Sequence, residues 1–269
     1  VFVVKLGGDV LADTEALDRV AQQLGLLSSL SIRIVVVHGG GPQATALSRR
    51  LGHEPTIVAG RRVTDETALE VAKMVYSGTL NVNLLSALRS HEVQGVGLSG
   101  VDADLLTARR RPPISVVDDA GKAREVDFGY VGDIDRVDPR ILTTLLETRF
   151  VPVVASLAGD GSGNVYNVNA DTVAESLAVA LKAQKLIFLT GAPGVLRDRN
   201  DPASLVTFAD PDDLTALMTN GAIAGGMRPK VEACIRAATG GVERTHIIDG
   251  RLPDSILLEA FTGSGCGTM

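Results

Sequence analysis

The 269-residue sequence predicts an open α/β fold, with a mainly parallel central sheet and helices on both of its faces. The first observation is that short, continuous apolar runs recur along the chain, as in strands that are buried on both faces. The second is that the two earliest runs each lead through a glycine turn into a helical pattern, all within residues 1–52. Such units join parallel strands through crossover helices, so they predict an αβα sandwich.

In the first half of the chain, predicted strands and helices alternate. Strands are expected at 1–4, 32–37, 114–117, 123–126 and 130–137, and helices at 14–27, 43–51, 64–76, 80–90 and 139–147. Thr64 is the expected N-cap of its helix, because acidic residues follow it in the first turn. The glycine-rich stretch at 95–100 is expected to follow a short strand. A hairpin turn is predicted at 118–122.

In the second half, strands are predicted at 151–155, 185–189 and 246–249, and helices at 170–181, 212–219, 227–238 and 255–261. Asn169 is the expected N-cap of the first of these helices, which places Asp171 in a first turn where the helix dipole favours negative charge. A division into domains 1–182 and 183–269 is expected. Because no Pro/Ser-rich linker marks it, the junction would be tightly packed.

Composition and motifs exclude several classes of protein. The net charge of −6 gives no basic footprint for nucleic acid, and no apolar run approaches the ~20 residues of a membrane span. Two cysteines, Cys234 and Cys266, argue against a disulfide scaffold or a zinc site, and a reduced cytoplasmic setting is expected. P-loop, dinucleotide-fold, metalloprotease and serine nucleophile-elbow motifs are not found.

Two lysines occupy positions that are unfavourable for a purely structural lysine. Lys5 lies at the carboxyl end of an apolar strand, where open α/β sheets bind ligands. Lys230 falls in the first turn of a helix, where the dipole opposes a positive charge by ~0.3–1 kcal/mol. Both positions indicate a bound anion, although Lys230 could instead extend into water. Glycine turns at 7–8, 39–41 and 225–226 could cradle phosphate, but such turns also tolerate glycine without a ligand.

Five motifs occur in a characteristic order. They are Lys-Leu-Gly-Gly at 5–8, His-Gly-Gly-Gly-Pro at 38–42, Gly-Arg-Arg-Val-Thr at 60–64, Asn-Val-Asn-Ala-Asp at 167–171 and Gly-Gly-Met-Arg-Pro-Lys at 225–230. The set resembles the amino-acid kinase family, in particular the members that act on N-acetyl-L-glutamate. The resemblance covers the whole chain. It implies ATP-dependent phosphorylation of the γ-carboxylate of that substrate in arginine biosynthesis, with Mg²⁺ held mainly by the phosphates.

The resemblance also implies roles for individual residues. Lys5 and Lys230 would stabilise charge on the transferred phosphoryl group, and Asp171 would hold both lysines. The implied substrate-binding residues are Gly40, Gly41, Arg62, Asn167 and Asn169. The implied nucleotide-binding residues are Gly7, Gly8, Thr190, Gly191, Gly194, Val195, Leu196, Ile223, Gly225 and Gly226. No protein ligand for a metal is implied. The N-terminal part would bind the acylated amino acid and the C-terminal part ATP, in a homodimer or larger homo-oligomer.

Two departures from the family pattern leave alternatives open. Gly191 stands where the family usually has Asp, in Thr-Asp-Val-Pro-Gly, so any nucleotide contact from that carboxylate is lost. Asp254 stands where feedback-inhibited members usually have His, so regulation by arginine stays open. The alternative functions are a kinase for a carrier-protein-linked aminoadipate or another N-acyl amino acid, and a non-catalytic relative that senses an amino acid.

Overall fold

The computed structural model describes residues 1–58, 61–117, 123–262 and 265–269. In chain order the elements are β1 (Phe2–Leu6), α1 (Gly8–Ala12), α2 (Thr14–Ser29), β2 (Ile34–His38), α3 (Gly41–Arg50), β3 (Ile57–Val58), β4 (Arg61–Arg62), α4 (Glu66–Lys73), a π-helical segment (Met74–Leu80), α5 (Asn81–Ser90), β5 (Gly95–Ser99), β6 (Leu106–Arg110), β7 (Ile114–Val117), β8 (Ala123–Val126), β9 (Gly132–Val137), α6 (Arg140–Glu147), β10 (Val151–Ala155), β11 (Leu157–Gly159), β12 (Val165–Asn167), α7 (Ala170–Ala180), β13 (Lys185–Thr190), α8 (Pro211–Thr219), α9 (Met227–Thr239), β14 (Arg244–Asp249) and α10 (Ser255–Phe261).

The central sheet has six strands in the order β14-β13-β1-β2-β10-β5, and every neighbouring pair is parallel. The apolar runs that predicted buried strands form β1, β2, β10 and β13, all of whose residues are buried. The predicted parallel sheet is therefore confirmed. Strand β1 lies in its middle, hydrogen-bonded to β2 on one side and to β13 on the other.

Alternation along β1 assigns its side chains to the two layers of helices. Phe2, Val4 and Leu6 belong to a core shared with α2 and α5, whereas Val3 belongs to the core built with α6, α7 and α9. Side chains at alternate positions of a strand share a face, so Lys5 extends toward the same layer as Val3. Helix α7 packs on β1 in that layer, which brings its first turn to Lys5.

A smaller sheet has the strand order β12-β11-β6-β9. Strand β11 begins two residues after β10 ends, so the chain passes almost directly from one sheet into the other. The hairpin strands predicted at 114–117 and 123–126 are confirmed as β7 and β8. The turn predicted between them lies outside the described residues.

The predicted N-cap at Thr64 is wrong by one residue. Thr64 is buried and its backbone is engaged in a bridge, donating to Phe128 O and accepting from Tyr130 N. Its extended backbone is therefore committed before the helix begins. The side chain of Asp65 accepts instead from Ala68 N at 2.8 Å and caps α4.

Two further predictions needed correction. The glycine-rich stretch 95–100, expected to follow a strand, forms strand β5 itself. Its glycines allow α5 to approach the strand, because a Cβ at Gly95 would lie 2.7 Å from Leu85 Cδ2. The helix expected to end near residue 76 ends at Lys73 and continues as the π-helical segment straight into α5. The short helix α1, directly after the first glycine turn, was not predicted.

Candidate functional site

A cavity of about 640 Å³ lies at the carboxyl ends of the central strands, where open α/β sheets bind ligands. Among the residues that line it are Lys5, Gly8, Gly39, Gly40, Gly41, Arg62, Tyr76, Arg111, Asp133, Asn167, Asn169 and Asp171. A second cavity, of about 710 Å³, lies at the amino ends of β2, β5 and β10 and contains none of the predicted site residues. The first cavity is therefore the candidate site.

Asp171 lies between the two lysines that the sequence analysis singled out. Its Oδ1 is 2.8 Å from Lys5 Nζ and its Oδ2 is 3.1 Å from Lys230 Nζ. The side chains of Lys5, Asp171 and Lys230 are 9%, 7% and 17% exposed, so the group is shielded from water. The positions of Lys5 and Lys230 predicted a nearby anion, and the carboxylate of Asp171 is one such anion. Lys230 Nζ also donates to Gly226 O at 3.2 Å.

The protonation states of this triad follow from burial and charge. Burial alone would raise the pKa of Asp171, but the two lysines outweigh it and hold that pKa below its usual value. Burial lowers the pKa of Lys5, Asp171 opposes this shift, and the nearby Lys230 adds to it. Asp171 is therefore ionised at neutral pH, with one lysine at each of its oxygens.

Local sequence places Asp171 at this point. Asn169 Oδ1 accepts from Asp171 N at 2.7 Å and from Thr172 N at 3.4 Å, which confirms the predicted N-cap of α7. The cap fixes the first turn of the helix and with it the direction of the carboxylate. Asn167, at the end of β12, donates through Nδ2 to Thr64 Oγ1 at 3.2 Å. Both asparagines line the cavity.

The predicted substrate-binding arginine lies against the start of α3. Arg62 Nη2 donates to Gly41 O at 2.9 Å and to Thr45 Oγ1. The glycine turn between β2 and α3 lies at the cavity. The N-terminus of α3 therefore faces the cavity, beside the guanidinium group of Arg62. Backbone amides, helix dipole and Arg62 together provide positive potential, as a site for anionic groups requires.

The predicted nucleotide-binding residues lie in three places: after the carboxyl end of β1, at and after the carboxyl end of β13, and directly before α9. Of this set, Gly8 lines the cavity. The N–H of Gly7 donates to Leu189 O at 2.8 Å, so it extends the sheet and is not available to a ligand. Val195 and Ile223 contribute buried side chains to the core. Thr190 Oγ1 is hydrogen-bonded within its own turn, to Ala192.

Gly191 lies against Asp9 of α1. A Cβ at Gly191 would lie 2.8 Å from Asp9 Oδ2, so the Asp9 carboxylate occupies the space that a side chain at position 191 would take. The carbonyl of Gly191 accepts from Arg251 Nη2 at 2.6 Å. The family's usual carboxylate is therefore absent at this strand end, and a carboxylate from a neighbouring helix lies in its place.

Replacing Gly191 with Asp is expected to lower the free energy of unfolding by about 1–2 kcal/mol, because the new side chain overlaps Asp9 and adds a second negative charge. Urea denaturation measures this change. In an Asp9→Ala background the same replacement is expected to cost less than about 0.5 kcal/mol. An equal loss in both backgrounds would show that Asp9 is not the cause.

Two groups of the cavity wall were missed by sequence reasoning. Arg111 Nη2 lies 2.6 Å from Asp133 Oδ1, and this pair lines the cavity. In sequence, Arg111 ends a run of three arginines that is indistinguishable from a solvated charge run. Tyr76 comes from the π-helical segment and is buried, and its position depends on a helix type that the apolar spacing does not reveal.

Within the described ranges, no group of three or more His, Cys, Asp or Glu side chains is arranged to hold a metal ion. Over the same ranges, no helix combines the length and the apolar character that crossing a membrane requires.

The fold and the site define the chain as an αβα protein with a cavity at the carboxyl ends of its central strands. Lys5, Asp171 and a glycine-rich helix start line this cavity, and Lys230 pairs with Asp171. The chain belongs to the amino acid kinase family, since the profile of that family matches residues 1–249.

Curated relatives match over the whole chain. An acetylglutamate kinase of Myxococcus xanthus is 49% identical over 269 residues, which cover 100% of this chain and 87% of the relative. One of Methanothrix thermoacetophila is 45% identical over 269 residues and covers 91% of that relative.

Solved structures share the fold. N-acetylglutamate synthase from Neisseria gonorrhoeae, complexed with coenzyme A and N-acetyl-glutamate, has a TM-score of 0.82 and 30% identity over 99% of this chain. The chain spans only 58% of that synthase. Isopentenyl phosphate kinase from T. acidophilum has a TM-score of 0.62 at 17% identity, over 99% of this chain and 98% of that one. This similarity concerns the fold alone.

Proposed function

We propose that the chain catalyses ATP-dependent phosphorylation of the γ-carboxylate of N-acetyl-L-glutamate, the acetylglutamate kinase reaction and a step of arginine biosynthesis. The observation that carries the proposal is the buried triad in which Asp171 pairs with Lys5 and Lys230 at the cavity. Whole-chain identity of 43–49% to curated acetylglutamate kinases supports it.

The chemistry explains why the site needs cations. A γ-carboxylate with a pKa near ~4.3 is ionised at neutral pH, so its attack on ATP requires no general base. The obstacle is repulsion between this carboxylate and the polyphosphate, and phosphoryl transfer is catalysed mainly by positioning and electrostatic stabilisation. In this proposal Lys5 and Lys230 neutralise charge on the transferred group, and Asp171 fixes their positions.

The substrate is proposed to bind along the cavity wall. Arg62 and Asn167 would hold its α-carboxylate, because a guanidinium group and an amide can each donate to a carboxylate. Gly40 and Gly41 would donate backbone amides to the transferred phosphoryl group and the substrate. Asn169 would contribute its amide nitrogen, since its oxygen caps α7. These residues all line the same cavity.

ATP is proposed to bind beside the ends of β1 and β13 and the start of α9. Mg²⁺ bound with ATP would be held mainly by the phosphates and would supply additional positive charge to them. This arrangement requires no metal ligand from Asp171, because each oxygen of its carboxylate is paired with a lysine. Residues 1–182 would then serve the acylated amino acid and residues 183–269 the nucleotide.

A coupled assay of ADP release tests the proposal. We expect release that depends on both ATP and N-acetyl-L-glutamate. Free glutamate, which lacks the acyl group, should be a poor acceptor. A preference for a carrier-linked aminoadipate would instead identify the related kinase. If no acylated amino acid supports release while an amino acid still binds, the chain is a non-catalytic sensor.

Replacing Gly40 with alanine is expected to lower kcat at least about tenfold. A Cβ at this position would lie 2.8 and 2.9 Å from ring carbons of Tyr76 and would overlap Leu80, so the loop must move. Gly78→Ala on the neighbouring π-helical segment is the matched control, because its Cβ would meet no atom within 4 Å. Steady-state kinetics of both variants measure the effect, and equal kcat values would contradict it.

The assembly and location are also proposals. We infer a homodimer or larger homo-oligomer in the cytoplasm, as the resemblance to the family implies. Sedimentation velocity of the purified chain measures the assembly, and a monomer at micromolar concentration would contradict that part of the proposal.

A further inference from the structure

His38 is a buried histidine for which the proposed mechanism has no role. It is the last residue of β2, directly before the glycine turn, and is fully buried. Its Nδ1 lies 2.9 Å from the carbonyl oxygen of Gly39, and its Nε2 lies 3.3 Å from Nδ2 of Asn81. A buried imidazole with a partner at each nitrogen is held in one orientation.

The proton of His38 is on Nδ1, because Gly39 O can only accept, and the second partner, Asn81, gives the same assignment. The Nδ2 of Asn81 lies 3.2 Å from Val153 O and 3.4 Å from Leu98 O, two carbonyls of neighbouring strands that can only accept. The amide group therefore presents its NH₂ to them, and the same NH₂ meets His38. Since this group can only donate, Nε2 of His38 is the acceptor and the proton is on Nδ1. Burial lowers the pKa of His38 to about 4, so the ring is neutral at pH 7.

The Nδ1 proton controls the peptide that follows. It is donated to Gly39 O, and this carbonyl shares a planar peptide unit with the N–H of Gly40. The two groups point in opposite directions, so a fixed carbonyl gives a fixed N–H. Among the described residues, no backbone acceptor pairs with this N–H. A Cβ at Gly40 would overlap Tyr76 and Leu80, so these side chains pack closely against Gly40.

We propose that His38 is a positioning residue that aims the Gly40 amide at the transferred phosphoryl group, with its tautomer set by Gly39 O and Asn81. The inference rests on the proposed function, in which Gly40 donates to that group. The carbonyls of β5 and β10 orient Asn81, Asn81 orients His38, and His38 orients the glycine turn. Through these contacts the central sheet sets the direction of the Gly40 N–H, a donor that belongs to the backbone.

Two replacements of His38 separate its two hydrogen bonds. In His38→Asn the amide nitrogen occupies the place of Nδ1 and can still donate to Gly39 O. In His38→Gln the amide reaches toward Asn81 and the bond to Gly39 O is lost. We expect His38→Gln to lower kcat about a hundredfold, the usual cost of losing one oxyanion-type donor, with KM for ATP within about twofold. His38→Asn should retain kcat within about fivefold of the wild type.

His91→Gln is the matched control, because His91 pairs with Asp18 and lines the second cavity, at the amino ends of the strands. Equal loss of kcat in both His38 variants, or no loss in His38→Gln, would overturn the proposal. If the wild type itself releases no ADP, the proposed function fails and the kinetic arm does not apply. The tautomer then tests the inference separately.

Nitrogen-15 NMR of the full chain reads this tautomer without any replacement of His38. The chain has four histidines, so its imidazole signals can be assigned by single replacement of the other three. We expect Nδ1 of His38 to be protonated and Nε2 unprotonated at pH 7. The opposite tautomer, or a doubly protonated ring, would overturn the proposal. In Asn81→Ala the Gly39 carbonyl remains as an acceptor, so Nδ1 should stay protonated, and loss of this tautomer would overturn the role of Gly39 O.

Discussion

Replacing Lys230 with alanine is expected to lower kcat about a thousandfold and to change KM for N-acetyl-L-glutamate less than about threefold. Lys230 Nζ lies 3.1 Å from Asp171 Oδ2 and its side chain is only 17% exposed, so its charge acts in a poorly screened environment. Negative charge on the transferred group is redistributed in the transition state, and a fixed cation stabilises it there. Steady-state kinetics with both substrates varied measure the loss.

Lys73→Ala provides the control for removal of a lysine charge. Lys73 is partly exposed at the end of α4, where it pairs with Glu70 at 3.0 Å, and its loss should leave kcat within about twofold. If Lys230→Ala raises KM and leaves kcat unchanged, the lysine contributes equally to ground-state and transition-state binding. Near-normal kcat and KM would remove Lys230 from the reaction.

Asp171→Asn is expected to abolish measurable turnover and to lower the free energy of unfolding by about 3 kcal/mol at pH 7. The replacement keeps the shape of the side chain but leaves Lys5 and Lys230 without the charge that compensates both of them. Their mutual repulsion then displaces one ammonium or removes its proton. Urea denaturation and ADP release measure the two losses.

The pH dependence distinguishes loss of charge from loss of packing. Because the pKa of Asp171 is lower in the folded state, its stabilisation is present above the unfolded value near ~3.9 and is lost as pH falls through the folded value. The difference in stability between wild type and Asp171→Asn should therefore be complete at pH 7 and shrink in acid. A difference that stays constant down to pH 2 would identify lost packing as the cause.

The alkaline limb of activity should report Lys5. Burial lowers its pKa, and the Asp171 charge opposes that shift, so the wild type should lose activity at a lower pH than an ordinary lysine would dictate. Asp171→Glu changes the distance between the carboxylate and Lys5. If this variant retains measurable turnover, its alkaline limb should therefore lie at a different pH from that of the wild type. A limb at the ordinary lysine value in the wild type would contradict the role of Lys5.

The sequence predicted the central sheet and the two lysines because both depend on short-range patterns, whereas the pairing of Asp171 with them was implied by the family resemblance. Continuous apolar runs identify strands buried on two faces, and Asn169 caps α7 with an oxygen that its position in the chain already implied. Lys5 and Lys230 were recognisable because each occupies a position that is unfavourable unless an anion is near. Their distances to Asp171 follow from the order of the parallel strands and the packing of α9 on α7.

The features that were missed depend on contacts between distant parts of the chain. Thr64 has the composition of an N-cap, but pairing with residues 128 and 130 fixes its backbone first. Asp9 lies beside Gly191 only because β1 and β13 are neighbours in the sheet. The π-helical segment has the apolar content of an ordinary helix, and its different pitch is not visible in the spacing of its apolar residues.

The adjacency of β2, β1 and β13 has a consequence for how this enzyme can change. Their carboxyl ends carry, in turn, the glycine turn, Lys5 and the proposed nucleotide segment, so the separations between these groups are set by the ~4.8 Å spacing of hydrogen-bonded strands. Backbone hydrogen bonds maintain that spacing whatever the side chains are. Substrate preference can therefore diverge through the smaller sheet and its hairpins while the spacing of the proposed phosphate-binding groups stays constant.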